Sequence, residues 1–248
     1  MVRGTKDEAA KEYVLVHGAA HGAWCWDEVA KTLEAKGHRV VTLDLPGHGR
    51  RAGEARRASV AVYARAVADA MAREAVSRAV LVGHSMAGIV IAKAAELAPS
   101  RLAHLVFLAA VVLPDSGSFA ETHLPAATRD VLKGMAAARG DGTFLYSAEA
   151  AWARWLGDLP RDHPGTTRAL AALTPQALRP LVERVDLRMF HSMRLPRTYI
   201  RCLRDAAVPP AKAALYAARL GVTPIDMNTA HDPMLSAPDE LARILDRI

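Results

Sequence analysis

At 248 residues and 26.6 kDa the chain is long for one ordinary domain and short for two, so one α/β or all-β domain carrying an insertion is expected. A composition of 51% hydrophobic and 23% charged residues excludes disordered, collagen-like and coiled-coil chains. The net charge of +6 permits nucleic-acid binding, but no RNA-binding aromatic motif, zinc spacing or basic helix accompanies it, so no nucleic-acid partner is expected.

Residues 1–11 are polar and aperiodic and read as a frayed tail without an apolar signal-peptide core, which points to a cytoplasmic location. The short β-branched run Tyr13 to Val16 ends at His17-Gly18, the pattern of a buried strand entering a turn. Similar runs at Arg39 to Leu43, Ala79 to Val82, Leu105 to Ala109, Thr198 to Cys202 and Thr223 to Met227 predict five further strands. Between and after them, helices are predicted at Trp26 to Ala35, Ser59 to Ala75, Met86 to Leu97, Pro210 to Leu220 and Pro238 to Ile248. Such alternation implies a mostly parallel, doubly wound sheet with ligands at the carboxyl ends of its strands. The apolar run Leu105 to Leu113 stops at Pro114, about half the length of a membrane span, so no membrane partner is expected.

The alternation breaks over 114–196, where no strand is evident and helices are predicted at Ala126 to Arg139, Ala148 to Leu156, Thr166 to Leu173 and Pro175 to Arg184. This segment leaves one strand's carboxyl end and returns before the next strand, which makes it a helical lid, or cap, over a core of residues 12–113 and 197–248. The arginines Arg50, Arg51, Arg56 and Arg57 are expected in a solvated loop, in preference to a docking site for an acidic carrier protein.

Gly83-His84-Ser85-Met86-Ala87-Gly88 follows a strand and opens a helix, so Ser85 is the candidate nucleophile on a sharp strand-to-helix turn. Ala87 stands where such turns commonly carry glycine. A serine hydroxyl needs a base oriented by a carboxylate, both lying downstream in the order acid, then histidine. His231, in the loop after the last strand, is the candidate base, and Asp205, in the loop after Cys202, the candidate acid. The candidate oxyanion donors are the N–H of Met86 and that of Ala19, in the small-residue turn His17-Gly18-Ala19-Ala20-His21-Gly22. His17 and His21 lack a helix to hold them and a third ligand, so no metal is expected, and the glycine spacing is not a dinucleotide fingerprint. Cys25 and Cys202 lack disulfide or metal spacing and are expected to pack as small apolar groups.

With these motifs, and with His21-Gly22-Ala23-Trp24-Cys25-Trp26, Leu43-Asp44-Leu45-Pro46-Gly47-His48-Gly49 and His231-Asp232-Pro233-Met234-Leu235-Ser236, the chain resembles the α/β-hydrolase superfamily. Within it, the resemblance is to the plant-type methyl esterase and hydroxynitrile lyase group and its bacterial relatives. It implies the Ser85, Asp205, His231 triad, oxyanion donors at Ala19 and Met86, no cofactor, and often a homodimer. The lyases of that group carry threonine at the place of Gly18 and lysine at that of Asp232, and its esterases an apolar residue at the latter. Asp232 departs from both; it is expected to raise the basicity of His231, to discourage acidic substrates, or to point into solvent.

The expected activity is serine-dependent hydrolysis of a small, largely apolar carboxylic ester. The substrate pocket is expected to draw on Gly18, Trp24, Asp232 and the cap aromatics Phe119, Tyr146, Trp152 and Trp155, with Phe144 and Phe190 as further cap aromatics. The alternatives are a lyase or elimination catalyst on the same triad, a thioesterase, and a ligand receptor that retains the pocket with little turnover.

Overall fold

A computed structural model describes residues 10–248, so most of the expected tail lies outside the described residues. The tail reading does not extend to Lys11, whose N–H is bonded to Nδ1 of His38 at 3.2 Å. The first half of the core runs β1 (Glu12–Val16), α1 (Asp27–Glu34), β2 (Arg39–Leu43), α2 (Val60–Arg73), β3 (Ala79–His84), α3 (Ala87–Leu97) and β4 (Leu102–Leu108). The cap segment follows with α4 (Phe119–His123), α5 (Ala126–Arg139), β5 (Thr143–Phe144), α6 (Ala148–Trp155), α7 (Pro164–Ala172), β6 (Gln176–Ala177), α8 (Arg179–Val182) and α9 (Arg188–Ser192). The chain then re-enters the core with β7 (Arg197–Cys202), α10 (Pro210–Leu220), β8 (Ile225–Met227), α11 (Pro233–Ser236) and α12 (Pro238–Asp246).

The six core strands form one parallel sheet in the order β2-β1-β3-β4-β7-β8. Its central strands are apolar on both faces because helices cover both. On one face Val14, Val16, Leu81, Leu105 and Phe107 pack with α2, α3 and α10; on the other Tyr13, Leu15, Val80, Val82 and Val106 pack with α1 and α12. The strand order reverses between β1 and β3, since β2 leaves β1 on one side and β3 joins it on the other. A crevice opens at the carboxyl ends of strands flanking such a reversal. The turn after β1 and Ser85 after β3 therefore become neighbours, although 66 residues of sequence lie between Gly18 and Ser85.

One cap expectation is corrected. The stretch Pro175 to Arg184 is not one helix: Gln176–Ala177 pairs antiparallel with Thr143–Phe144, and only Arg179–Val182 is helical. The physical reason is Gln176, a fully buried polar side chain that accepts from the N–H of Ala20 and from His48 and so holds its backbone extended. Outside the cap, the arginine cluster is solvated as expected, with Arg50, Arg56 and Arg57 exposed; Gly49–Arg57 forms 3-10 turns in which Arg50 pairs with Asp44 and Arg51 with Glu54. No helix among the described residues is long and apolar enough to cross a membrane.

Candidate active site

Ser85 follows β3 directly and adopts φ of 56°, a left-handed backbone that a non-glycine residue occupies only where its surroundings enforce it. Its N–H donates to the carbonyl of Leu108 at 3.0 Å, and its carbonyl accepts from Gly88 at 3.2 Å and Val111 at 3.1 Å. These bonds lift the hydroxyl above the sheet. Oγ of Ser85 lies 2.9 Å from Nε2 of His231, and Nδ1 of His231 lies 2.7 Å from Oδ2 of Asp205. The other carboxylate oxygen, Oδ1, accepts the N–H groups of Ala207 and Val208, both at 2.7 Å. Asp205 is thereby fully engaged in a buried loop after β7, and the three residues form one continuous relay.

The turn after β1 is braced at each step. His17 donates Nδ1–H to the carbonyl of Gly18 at 2.8 Å while its Nε2 accepts from the N–H of Leu45 at 3.0 Å. Burial, and next the neighbouring His48, hold His17 well below the usual histidine value, so the ring is neutral. Gln176 of the cap takes the N–H of Ala20 at 3.1 Å. The N–H groups of Ala19 and Met86 donate to no acceptor among the described residues. A β-carbon built on Gly18 would lie 2.9 Å from Cβ of Ser85 and 3.0 Å from Nδ1 of His84, so only glycine lets the turn approach the serine this closely.

Asp232 does not point into solvent. Its side chain is 1% exposed and its Oδ2 lies 3.0 Å from Nε2 of His21, itself 2% exposed. Nδ1 of His21 contacts the carbonyl of Ala19 at 2.8 Å, so acceptors face both ring nitrogens and the doubly protonated ring satisfies both. Burial opposes the charge on His21, but the Asp232 carboxylate and the two hydrogen bonds outweigh it and raise the group above its ordinary value. Burial likewise opposes the charge on Asp232, and the His21 charge and hydrogen bond lower it nonetheless. Asp232 thus closes an ion pair behind the Ala19 turn and does not line the substrate cavity. His84 donates Nε2–H to the carbonyl of His231 at 3.0 Å, and burial, then the adjoining His231, keep it neutral. His84, His231 and Asp232 bring three potential metal-ligand atoms within 4.8 Å of one another. Both nitrogens of His231 and Nε2 of His84 are nevertheless committed to the hydrogen bonds just described.

A narrow cavity of about 30 Å³ opens at Ser85 between the sheet and the cap. Phe119, Tyr146 and Trp155, three of the expected pocket residues, line it, together with Ala19. Gly18, Trp24, Trp152 and Asp232 do not. Gly18 lies under the serine, Trp24 stacks on the far side of His21, and the Trp152 indole donates to the carbonyl of Leu159 beneath the Arg161 guanidinium. Phe144 also lines the cavity, whereas Phe190 packs on Phe107 in the core.

His123 and Arg154 line the cavity without having been singled out from the sequence. His123 donates Nε2–H to Ala207 at 2.9 Å and accepts the Tyr216 hydroxyl at 3.0 Å; burial, helped by the Lys212 charge, lowers it to about 4. The signal in the sequence that could have found Arg154 is helical spacing in α6, where Ala151, Arg154 and Trp155 stand at i, i+3 and i+4. A larger open groove of about 620 Å³ lies around Arg51, Arg65 and Arg73 and contains none of the candidate site residues.

A profile described as the alpha/beta hydrolase family matches residues 13–244. Among curated proteins, the chain is 44% identical over 115 residues to the probable esterase PIR7A of Oryza sativa subsp. indica, a match covering 45% of this chain and 43% of that one. The chain thus spans under half the length of the rice esterase in this match. It is 30% identical over 250 residues to a pyrethroid hydrolase of Sphingobium wenxiniae, covering 94% of this chain and 86% of that one. Among solved structures, an extracellular alpha/beta-hydrolase from a Paenibacillus species superposes with a TM-score of 0.88 at 24% identity, covering 96% of this chain and 98% of that one.

Proposed function

Because the chain belongs to the alpha/beta hydrolase family, we propose that it hydrolyses a small, largely apolar carboxylic ester through an acyl-enzyme on Ser85. The observation that carries this reading is the relay Asp205–His231–Ser85, with contacts of 2.7 and 2.9 Å, at the mouth of an apolar cavity. His231 takes the Ser85 proton as Oγ attacks the ester carbonyl, and Asp205 holds the imidazole in the tautomer whose Nε2 is free to accept it. The developing oxyanion accepts the uncommitted N–H groups of Ala19 and Met86. The tetrahedral intermediate collapses, His231 returns the proton to the departing alkoxide, and the alcohol leaves. Water, deprotonated by His231, then attacks the acyl carbonyl and releases the acid and the free serine.

Relatives named esterase and pyrethroid hydrolase support ester hydrolysis as the reaction class. Lyase chemistry is disfavoured, since the residue after His231 is a carboxylate turned inward to His21 and no ammonium takes its place to stabilise departing cyanide. Replacement of the nucleophile tests the proposal. Ser85→Ala should abolish covalent labelling by a fluorophosphonate and lower turnover of p-nitrophenyl acetate by roughly 10³- to 10⁶-fold, with the melting temperature retained. Labelling and turnover at the parental rate would refute it.

A further inference from the structure

We propose that Arg154 is a specificity residue that binds an anionic group, a carboxylate in the first instance, on the ester's acyl or alcohol part. This rests on the hydrolase reading above and narrows its substrate to esters that are apolar around the reacting carbonyl and carry one negative charge at a distance from it.

Among the described residues, Arg154 is the one arginine on the wall of the cavity that contains Ser85, and the wall around it is otherwise largely apolar. It is half-buried, yet among the described residues no carboxylate or carbonyl accepts from it. Its protein contact is the Tyr146 ring, 5.8 Å from the guanidinium carbon, and Tyr146 lines the same cavity. That contact steadies the group while leaving its N–H donors unused. Other half-buried arginines are satisfied: Arg51 by Glu54, Arg101 by the carbonyl of Val76, Arg197 by those of Phe190 and Met193, and Arg201 by Asp226. Arg129 shares the lack of an acceptor but does not line the cavity.

The carboxylates that could have neutralised Arg154 are committed elsewhere. Glu149, on the same helix, pairs with Arg161, and Asp158, just beyond it, with Arg204 and the N–H of Ala230. Asp205 is engaged by His231 and two backbone N–H groups, and Asp232 by His21. Among the described residues, no carboxylate lines the cavity. Its other titratable wall group besides Tyr146, His123, is held neutral by burial and then by the charge of Lys212, so it offers Arg154 no negative partner. An uncompensated guanidinium beside an apolar wall attracts a carboxylate, because the hydrogen bonds are charge-assisted and a half-buried pair is screened less than one in open water.

The test compares kcat/KM for matched pairs on the purified full chain. On the acyl side, monomethyl succinate, adipate and suberate are set against methyl butanoate, hexanoate and octanoate. On the alcohol side, acetoxyhexanoate is set against hexyl acetate. At least one anionic ester should be preferred over its neutral partner, and Arg154→Gln should reduce that anionic-to-neutral ratio by about 10- to 100-fold, the loss expected for one charged hydrogen-bonded pair. Arg154→Lys should restore part of it, and added salt should weaken the parental preference. Because each result is a ratio within one protein, partial misfolding cancels. A parental enzyme that prefers the neutral ester in every pair, or a ratio that Arg154→Gln leaves in place, overturns the proposal while the hydrolase reading stands. Absence of Ser85-dependent hydrolysis across all the esters would instead remove the hydrolase reading.

Discussion

A buried carboxylate next to a catalytic histidine would ordinarily compete with Asp205 for the ring or repel an anionic substrate, and Asp232 does neither because His21 neutralises it at 3.0 Å. The pair has a pH signature. A lowered carboxyl such as Asp232 contributes stability that is present above its unfolded value of about 4 and is lost as pH falls through its folded value. A raised histidine such as His21 contributes stability that is complete below about 6.5 and is lost as pH rises through its folded value. The pair therefore stabilises most between about pH 4 and 6.5. Asp232→Asn should lower the melting temperature, by up to about 3 kcal/mol of stability, with the deficit largest in that window and shrinking on either side. It should also slow acylation about tenfold, because a neutral His21 no longer grips the carbonyl of Ala19 with the same charge-assisted bond. A deficit independent of pH, measured by thermal unfolding across the range, would show that the two groups are uncharged in the fold. At the neighbouring position, Gly18→Ala places its β-carbon against Ser85 and should reduce the rate of fluorophosphonate labelling by at least about tenfold.

At the scale of elements, the turn from β3 to α3 depends on which of its small residues faces backbone. A β-carbon at Gly88 would meet the carbonyl oxygen of Val111 at 2.5 Å, and one at Gly83 the carbonyl oxygen of Ala87 at 2.8 Å. Val111 cannot retreat freely, since its own N–H is bonded to Ser85. The close approach thus falls on Gly83 and Gly88, which explains how alanine is accommodated at position 87. Gly88→Ala should cost about 1–3 kcal/mol and slow labelling of Ser85, whereas Ala87→Gly should cost no more than about 1 kcal/mol. Thermal unfolding of the two variants side by side decides between this account and one in which position 87 carries the constraint. The same elements show what a sequence can disclose. The six strands and the loops carrying Ser85, Asp205 and His231 were legible because apolar runs end in characteristic turns. The β5–β6 pair and the placement of Asp232 were not, because each is decided by a partner far away in the chain: Gln176 by Ala20 and His48, Asp232 by His21. Trp24 and Trp152 were assigned to the cavity on residue type, but their direction follows from the loop before α1 and from the flank of α6.

For the molecule as a whole, the relation between cap and sheet decides how a substrate enters. Polar links join them near the cavity: Gln176 and Thr174 hold the turn after β1, His123 of α4 bonds Ala207 and Tyr216, and Asp158, between α6 and α7, holds Arg204 and the residue before His231. The cavity at Ser85 is narrow, so its walls are expected to move apart as an ester enters. The sheet is the rigid side, since its central strands are fully paired and covered on both faces. The cap is expected to be the moving side, because its ladder has only two residues per strand. Hydrogen exchange read by mass spectrometry separates these roles. Amides of Phe119–His123 and Ala148–Trp155 should exchange at least about tenfold faster than those of β1, β3 and β4, as expected where opening is local. Covalent attachment of a fluorophosphonate to Ser85 should alter exchange in those two cap helices and leave the three strands as they were. Cap amides as protected as the sheet, and insensitive to the label, would mean that the substrate enters by another route and that the cap is a fixed part of the cavity wall.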